Sequence, residues 1–308
     1  MRLREFTMLV RREYWEHRSL LWAPLGVALL IVLGTVFGTH LQGGVRISLD
    51  GAEADYFSHL ATDVSAQTKI FAIWVAALML PILVAALFVC FGYLVDCLYA
   101  ERKDRSILFW RSMPVSDRDT VLAKFFVAMV ATPALVWLVS LVTSVITFVL
   151  VSVKVSGTAL APLGQWHGIT WLSVQWTLLQ NLLVAALWYS PVAAYLMLVS
   201  VYAKRSGWVS AALPPLLVVI AERLIFGTSY AGQFIAYRLG GFFQAVNVSV
   251  GHVGHGTSGE TIARSVDEAH QRLSAAAFLG EPNLWLGVAL AAVLLVIVIR
   301  TRRLRGEA

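Results

Sequence analysis

Six stretches of this chain are long and apolar enough to cross a lipid bilayer, and nothing else in it restricts the possible folds as strongly. A crossing takes about 20 mainly apolar residues. Residues 19–39, 70–98, 121–153, 177–202, 209–226 and 284–299 meet or approach that length, the fifth being short and the last the least generous. Lipid offers no hydrogen-bond partners, so each crossing must satisfy its own backbone as a helix. With 58% hydrophobic and 14% charged residues, the chain departs from soluble domains, which run at about 45–50% and 25%. The expected fold class is therefore all-α: a polytopic membrane protein whose residues 1–308 form a single transmembrane domain of six helices. The stretch 70–98 exceeds the bilayer and must tilt or project from it.

The basic residues set the expected topology. Arg2, Arg4, Arg11, Arg12 and Arg18 precede span one; Arg102, Lys103, Arg105, Arg111 and Arg118 follow span two. Lys204 and Arg205 follow span four, and Arg300, Arg302, Arg303 and Arg305 follow span six. These make up sixteen of the 24 basic residues, all on one side of a six-span chain, while Asp50, Glu53, Asp55 and Asp63 fall on the other. By the positive-inside rule the basic side, and with it both termini, is cytoplasmic. The net charge of +6 is then a topological signal, and nucleic-acid binding is not needed to explain it.

The N-terminal segment mixes Glu5, Glu13 and Glu16 among its arginines and lacks a convincing small-x-small cleavage site, so it reads as retained. Leu3, Phe6, Leu9, Val10 and Tyr14 recur at helical spacing, as in an amphipathic helix over 1–18 lying in the membrane interface. A plain cytoplasmic tail is the alternative. Between spans five and six, region 227–282 is extracytoplasmic in this topology. Its stretch 230–250 is apolar but carries Gln233, Arg238 and Gln244 and the pair Gly240 and Gly241, which suits a re-entrant or interfacial hairpin. Beyond it, Thr257 and Glu260 have capping-box spacing. Ile262, Val266, Ala269, Leu273 and Ala276 then outline an amphipathic helix.

Catalytic motifs are missing. The chain has no GxxxxGK[ST] phosphate loop, no HExxH and no paired CxxC. All seven histidines fall in loops or the N-terminal segment, which excludes a haem held between spans. Gly256-Thr257-Ser258-Gly259 matches the GxSG of rhomboid-type proteases, but it lies in a Gly-rich outer loop, where a linker or helix cap explains it better. His252, His255 and His270 are read as solvated rather than metal-bound, and Asn247-Val248-Ser249 carries no weight as a glycosylation sequon. Cys90 and Cys97 lie about 10 Å apart on one helix, too far to bridge, and read as lipid-facing or packing residues. Ionisable residues inside spans are costly and default to functional candidates. Glu222 and Arg223 near the outer end of span five pair with other helices, line a pathway or snorkel outward; Asp96 supports the loop after span two. Pro24, Pro81, Pro133, Pro191, Pro214 and Pro215 all fall in spans, where they can kink helices.

The most distinctive segment is the cytoplasmic loop 99–120. A charged start, Glu101, Arg102, Lys103, Asp104 and Arg105, leads into Ser106 and the apolar run Ile107 to Trp110, then Arg111 and Pro114. Ser116 and Asp119 form a cap for the next helix. Phe109 and Trp110 beside arginines resemble protein-interface anchors, the alternative being an aromatic belt on lipid. The run Leu98-Tyr99-x-Glu101-Arg102-x-x-x-Ser106-x-x-Phe109-x-x-Ser112-x-Pro114-Val115-Ser116, ending near Lys124, resembles the loop between spans two and three of ABC-2-type exporter permeases.

That resemblance covers about 27 residues in detail, and the layout of the spans extends it over the chain. It implies a coupling helix that fits a cleft on a separate ABC ATP-binding subunit, with Glu101, Arg102, Asp104, Arg105, Ser106, Phe109, Trp110, Arg111 and Pro114 as coupling residues. It further implies a homodimer of permeases with the substrate path between them, in a bacterial cytoplasmic membrane. No cofactor would be bound by this chain, ATP and Mg residing on the partner subunit. The expected function is thus the permease of an ATP-driven exporter, a transport subunit and not an enzyme. The alternative is a secondary transporter driven by an ion gradient, with Glu222, Arg223 and Asp96 as titrating groups.

Overall fold

The computed structural model describes residues 3–41, 64–103, 116–156, 164–203, 207–247 and 279–305. Among these residues the regular elements are all helical. Helix α1 is Leu3–Glu16, α2 Ser19–Leu41, α3 Val64–Asp96, α4 Tyr99–Lys103 and α5 Asp117–Phe126. A π-turn at Val127–Ala131 runs into α6, Thr132–Val155. Then come α7 Gly168–Tyr202, α8 Gly207–Ile225, α9 Tyr230–Asn247 and α10 Pro282–Arg305. Six helices are long and apolar enough to cross a membrane: α2, α3 with α4, α5 through α6, α7, α8 and α10. They correspond to the six stretches read from the sequence. The amphipathic segment after Thr257 and the outer loop histidines His252, His255 and His270 lie outside the described residues.

Contacts divide the chain into two units. One comprises Arg18–Val89 and Pro133–Leu179, the other Met1–His17, Cys90–Thr132 and Gln180–Ala308. In the first, α7 begins at Gly168, nine residues before the expected start at Thr177. Ser173 and Gln175 make that turn look too polar to be membrane helix. Within the fold, however, the Gln175 amide donates to Ser144 Oγ (3.3 Å) and Trp137 Nε1 donates to the Gln175 carbonyl (3.0 Å). Trp171 Nε1 also donates to Ser144 Oγ, at 3.1 Å. Ser140, Thr143, Ser144 and Thr147 line the buried face of α6. Their hydroxyls bond back to carbonyls three or four residues earlier, which hides them from lipid. Phe71, Trp74, Phe148, Trp166 and Trp171 stack edge-on or tilted with centroids 4.8–6.3 Å apart in the same unit. Lys154 Nζ donates to the last-turn carbonyls of Thr35 and Val36 in α2, where a cation offsets the helix dipole.

In the other unit the π-turn prepares the way for Pro133. A proline ring clashes with the carbonyl four residues back. Widening the preceding turn relieves that conflict, and Val127's carbonyl instead accepts from the Thr132 N–H and, at 2.8 Å, from its hydroxyl. Cys90 and Cys97 are buried packing residues, their thiols directed at the carbonyls of Ala128 (3.6 Å) and Leu94 (3.5 Å). Gly207 lets α8 start directly against α3: a Cβ there would lie 2.5 Å from Val95 Cγ1 and 2.8 Å from Val95 O. Gly207→Ala should therefore destabilise the protein by about 1–3 kcal/mol, read as a fall in the thermal midpoint in detergent. Gly26→Ala, where nothing lies within 4 Å, should not.

Candidate functional site

The described loop ends and α1 meet at a buried ionic cluster. Helix α1 turns Phe6, Leu9, Val10, Glu13 and Tyr14 inward, the i, i+3, i+4 spacing of one helical face, and His17 just after it is half-buried. Phe6 meets Phe126 edge-on at 5.2 Å, while Met8 and Trp15 remain exposed. Glu13 interrupts this apolar stripe and is 1% exposed. An isolated carboxylate could not stay ionised there. Lys124, fully buried in α5, donates to both of its oxygens at 2.7 and 2.9 Å. Tyr93 Oη donates to Oε2 at 3.0 Å and Arg12 Nη2 to Oε1 at 2.8 Å.

Glu101 is the second buried carboxylate and joins more elements. Its Oε1 lies 3.0 Å from Lys124 Nζ and 3.3 Å from Arg12 Nη2, and its Oε2 lies 3.0 Å from Arg302 Nη2. Arg302, near the end of α10, also places Nε 3.1 Å from Asp117 at the start of α5. One guanidinium thereby links Glu101, in α4 on the near side of the segment between spans two and three, to Asp117, the first residue of α5 on its far side. The loop's far end is secured locally as well: Ser116 caps α5, its hydroxyl accepting from Asp119 N–H at 3.1 Å.

Arg102 turns away from solvent too. Its Nη2 donates to the carbonyls of Ser200 (2.7 Å) and Ala203 (3.0 Å), capping the C-terminal end of α7. Ser200 Oγ in return accepts from the Leu98 and Tyr99 N–H groups, each at 3.0 Å. Of the coupling residues expected from the sequence, Glu101 and Arg102 come together here as internal anchors. Asp104, Arg105, Ser106, Phe109, Trp110, Arg111 and Pro114 lie outside the described residues.

The charges in α1 respond to this setting. Burial alone would raise the Glu13 pKa, but the charge and hydrogen bonds of Lys124, helped by Arg12 and Tyr93, outweigh it and hold the carboxyl below its ordinary value. Burial, then repulsion from Lys124, lowers the His17 pKa. Burial raises Glu16 in spite of the nearby Arg12. Ligand atoms of Glu13, Glu16 and His17 lie within 4.8 Å of one another, a spacing that would suit a metal ion. Both Glu13 oxygens accept from Lys124, which already supplies positive charge at that point.

The ionisable candidates read from the spans have different surroundings. Glu222 acts locally: its carboxylate accepts from Thr228 Oγ1 (2.7 Å) and from the N–H groups of Tyr230 (2.6 Å) and Ala231 (2.7 Å), capping α9 across a turn in which Gly227 has φ 66°. Arg223 is exposed, and Asp96 is the exposed last residue of α3. Sequence reasoning missed Glu13, Tyr93, Asp117, Lys124 and Arg302. A charge on an apolar stripe was the available signal for Glu13 and for Lys124, which shares its face with Val121, Val127 and Ala128. Nothing separated Arg302 from the other arginines of the tail.

Because Glu13 titrates below its ordinary value when folded, its contribution is fully present above the ordinary glutamate range and is lost as pH falls through the lower folded value. Wild type should thus lose thermal stability on acidification, and Glu13→Gln should lack that portion of the pH dependence. At neutral pH Lys124→Met, which removes the cation shared by two buried carboxylates, should cost about 3–5 kcal/mol. Glu13→Gln combined with Lys124→Met should cost less than the sum of the single changes, as a double-mutant cycle in thermal unfolding would show.

Comparison with known proteins places the same stretch of chain. Residues 65–161 match a family described as ABC-2 family transporter protein. The match contains Tyr93, Glu101, Asp117, Lys124 and the loop between spans two and three. No curated protein and no solved structure matches the chain. Among the described residues six helices are long and apolar enough to cross a membrane, which makes the chain a multi-pass membrane protein, and the stretch over the second and third of them is similar to an ABC-2 family transporter protein.

Proposed function

We propose that this protein is the permease subunit of an ATP-driven ABC exporter, working as a homodimer with a separate ATP-binding subunit docked on the loop between spans two and three. The observation that carries this reading is the bridge made by Arg302 between Glu101 and Asp117, 3.0 and 3.1 Å, at the two feet of that loop. A loop held at one foot only would bend when pushed. Held at both, it transmits the push. Breaking a buried ion pair leaves a charge stranded at a cost of about 3–5 kcal/mol, so the feet move with the helices that hold them. Through Lys124, Arg12 and Arg302, force on the loop would reach span three, the N-terminal helix and span six; through Arg102 it would reach the end of span four.

In this reading the ionic cluster faces the cytoplasm, in keeping with the sixteen basic residues on that side. ATP and Mg are held by the partner, in line with a chain that has no phosphate-binding loop of its own. The local engagement of Glu222 gives an ion-driven mechanism no support, because its carboxylate is occupied in capping a helix.

The double substitution Phe109→Asp with Trp110→Asp tests the docking role. It should weaken co-purification of the ATP-binding subunit about tenfold or more, the range of a lost interface anchor, and abolish transport-stimulated ATP hydrolysis while membrane insertion is retained. Unchanged coupling in that variant, or affinity-tagged wild type that brings down no P-loop ATPase, overturns the reading.

A further inference from the structure

Arg238 of α9 is a buried cation, 7% exposed, whose charge is not matched by any carboxylate among the described residues. Its guanidinium carbon lies 4.9 Å from the centre of the Trp188 ring and 5.9 Å from that of Phe234. Nη2 donates to the Asn283 carbonyl, while among the described residues Nε and Nη1 have no hydrogen-bond partner. The contrast with the ionic cluster is sharp, since there every buried cation faces at least one carboxylate.

The surrounding fold is shaped around this group. A Cβ on Gly287 would stand 2.7 Å from both Nη1 and Nη2, so only glycine leaves room for the guanidinium at that level of α10. Trp188 Nε1 donates to the Arg238 carbonyl at 3.1 Å and Tyr189 Oη to the Leu239 carbonyl at 3.0 Å, which pins the helix backbone in place. Depth follows from two independent helices. Trp188 precedes Tyr202, the end of α7, by fourteen residues, and Gly287 precedes Arg302 by fifteen. At 1.5 Å per residue both put Arg238 about 21–23 Å from the end of the unit that holds the ionic cluster. A hydrocarbon layer about 30 Å thick still encloses that level.

A cation at such a depth is expensive unless an anion completes it. Tyr230, Phe234, Tyr237 and Leu239 of the same helix are exposed, apolar and available to acyl chains. We propose that Arg238, seated on Trp188 and above Gly287, binds an oxyanion, the phosphate of an anionic amphiphile, with Nε and Nη1 as the free donors. Guanidinium suits this ligand because its charge is permanent and its N–H groups match phosphate oxygens. The aromatic ring beneath holds the cation without competing for those donors.

The test uses the full-length protein in a maltoside detergent, which offers no oxyanion of its own, and it requires no ATP-binding subunit, so its outcome is separate from that of the coupling role. Phosphatidylglycerol should raise the thermal midpoint of wild type and leave Arg238→Met unshifted. Native mass spectrometry should show lipid retention falling on the order of tenfold in that variant, the effect of losing charged hydrogen bonds. Gly287→Ala, which displaces the guanidinium, should fall in the same direction. If Arg238→Met does not fold, Arg238→Lys keeps the charge, loses the planar donors and should retain measurably less lipid than wild type. Inorganic phosphate alone forms the second arm. A shift with the lipid only identifies a membrane amphiphile as the source, and an equal shift with phosphate identifies a soluble oxyanion. No shift with either, or equal shifts in wild type and variant, overturns the proposal.

Discussion

Two carboxylates, Glu13 and Glu101, are buried with a lysine that has no exposed surface, and the unit that contains them is organised by the need to keep those charges matched. An ion removed from water loses several kcal/mol of solvation, recovered only when the geometry of its partners is close to ideal. Lys124 satisfies both carboxylates at once. Arg12 and Arg302 supply the remaining positive charge from the two ends of the chain. Helix α1 is for this reason tied to its unit: its inward face must deliver Glu13 to within 3 Å of Lys124. The last turns of α10 are similarly committed, because Arg302 has two acidic partners on different elements.

The other unit solves a different problem. Lipid gives helices no hydrophobic reason to associate, so packing relies on close contact and on polar groups that find partners within the protein. The hydroxyl face of α6 and the Gln175 amide are such groups, and the aromatic cluster around Phe71 and Phe148 supplies broad contact where α3, α6 and the start of α7 approach. Span three takes part in both solutions. Its α5 portion carries Lys124, its α6 portion carries the hydroxyls, and the π-turn before Pro133 separates them.

The membrane spans were legible because twenty consecutive apolar residues admit one backbone solution in lipid. The Ser116 cap was legible for a related reason, since it depends on residues three apart. Glu222 was not. Its role requires the chain to reverse at Gly227 and bring the first N–H groups of α9 back onto the carboxylate, and a span-end acid looks the same in sequence whether it caps a helix or lines a path. Arg102 likewise read as part of an exposed charged loop, whereas the free carbonyls at the end of α7, about a hundred residues on, draw it inward.

By itself the sequence determined that the chain is a helical membrane protein with six spans, because hydrocarbon imposes length and backbone satisfaction on any segment that enters it, independently of neighbours. Which charges face inward was decided only in three dimensions. Glu13, Lys124, Glu101 and Arg302 come from four separate regions of the chain, and each would be unstable where it lies without the others. Electrostatic matching of that kind acts across space and leaves no local pattern. Tertiary structure alone therefore joined the two feet of the loop through one arginine and left Arg238 with donors to spare.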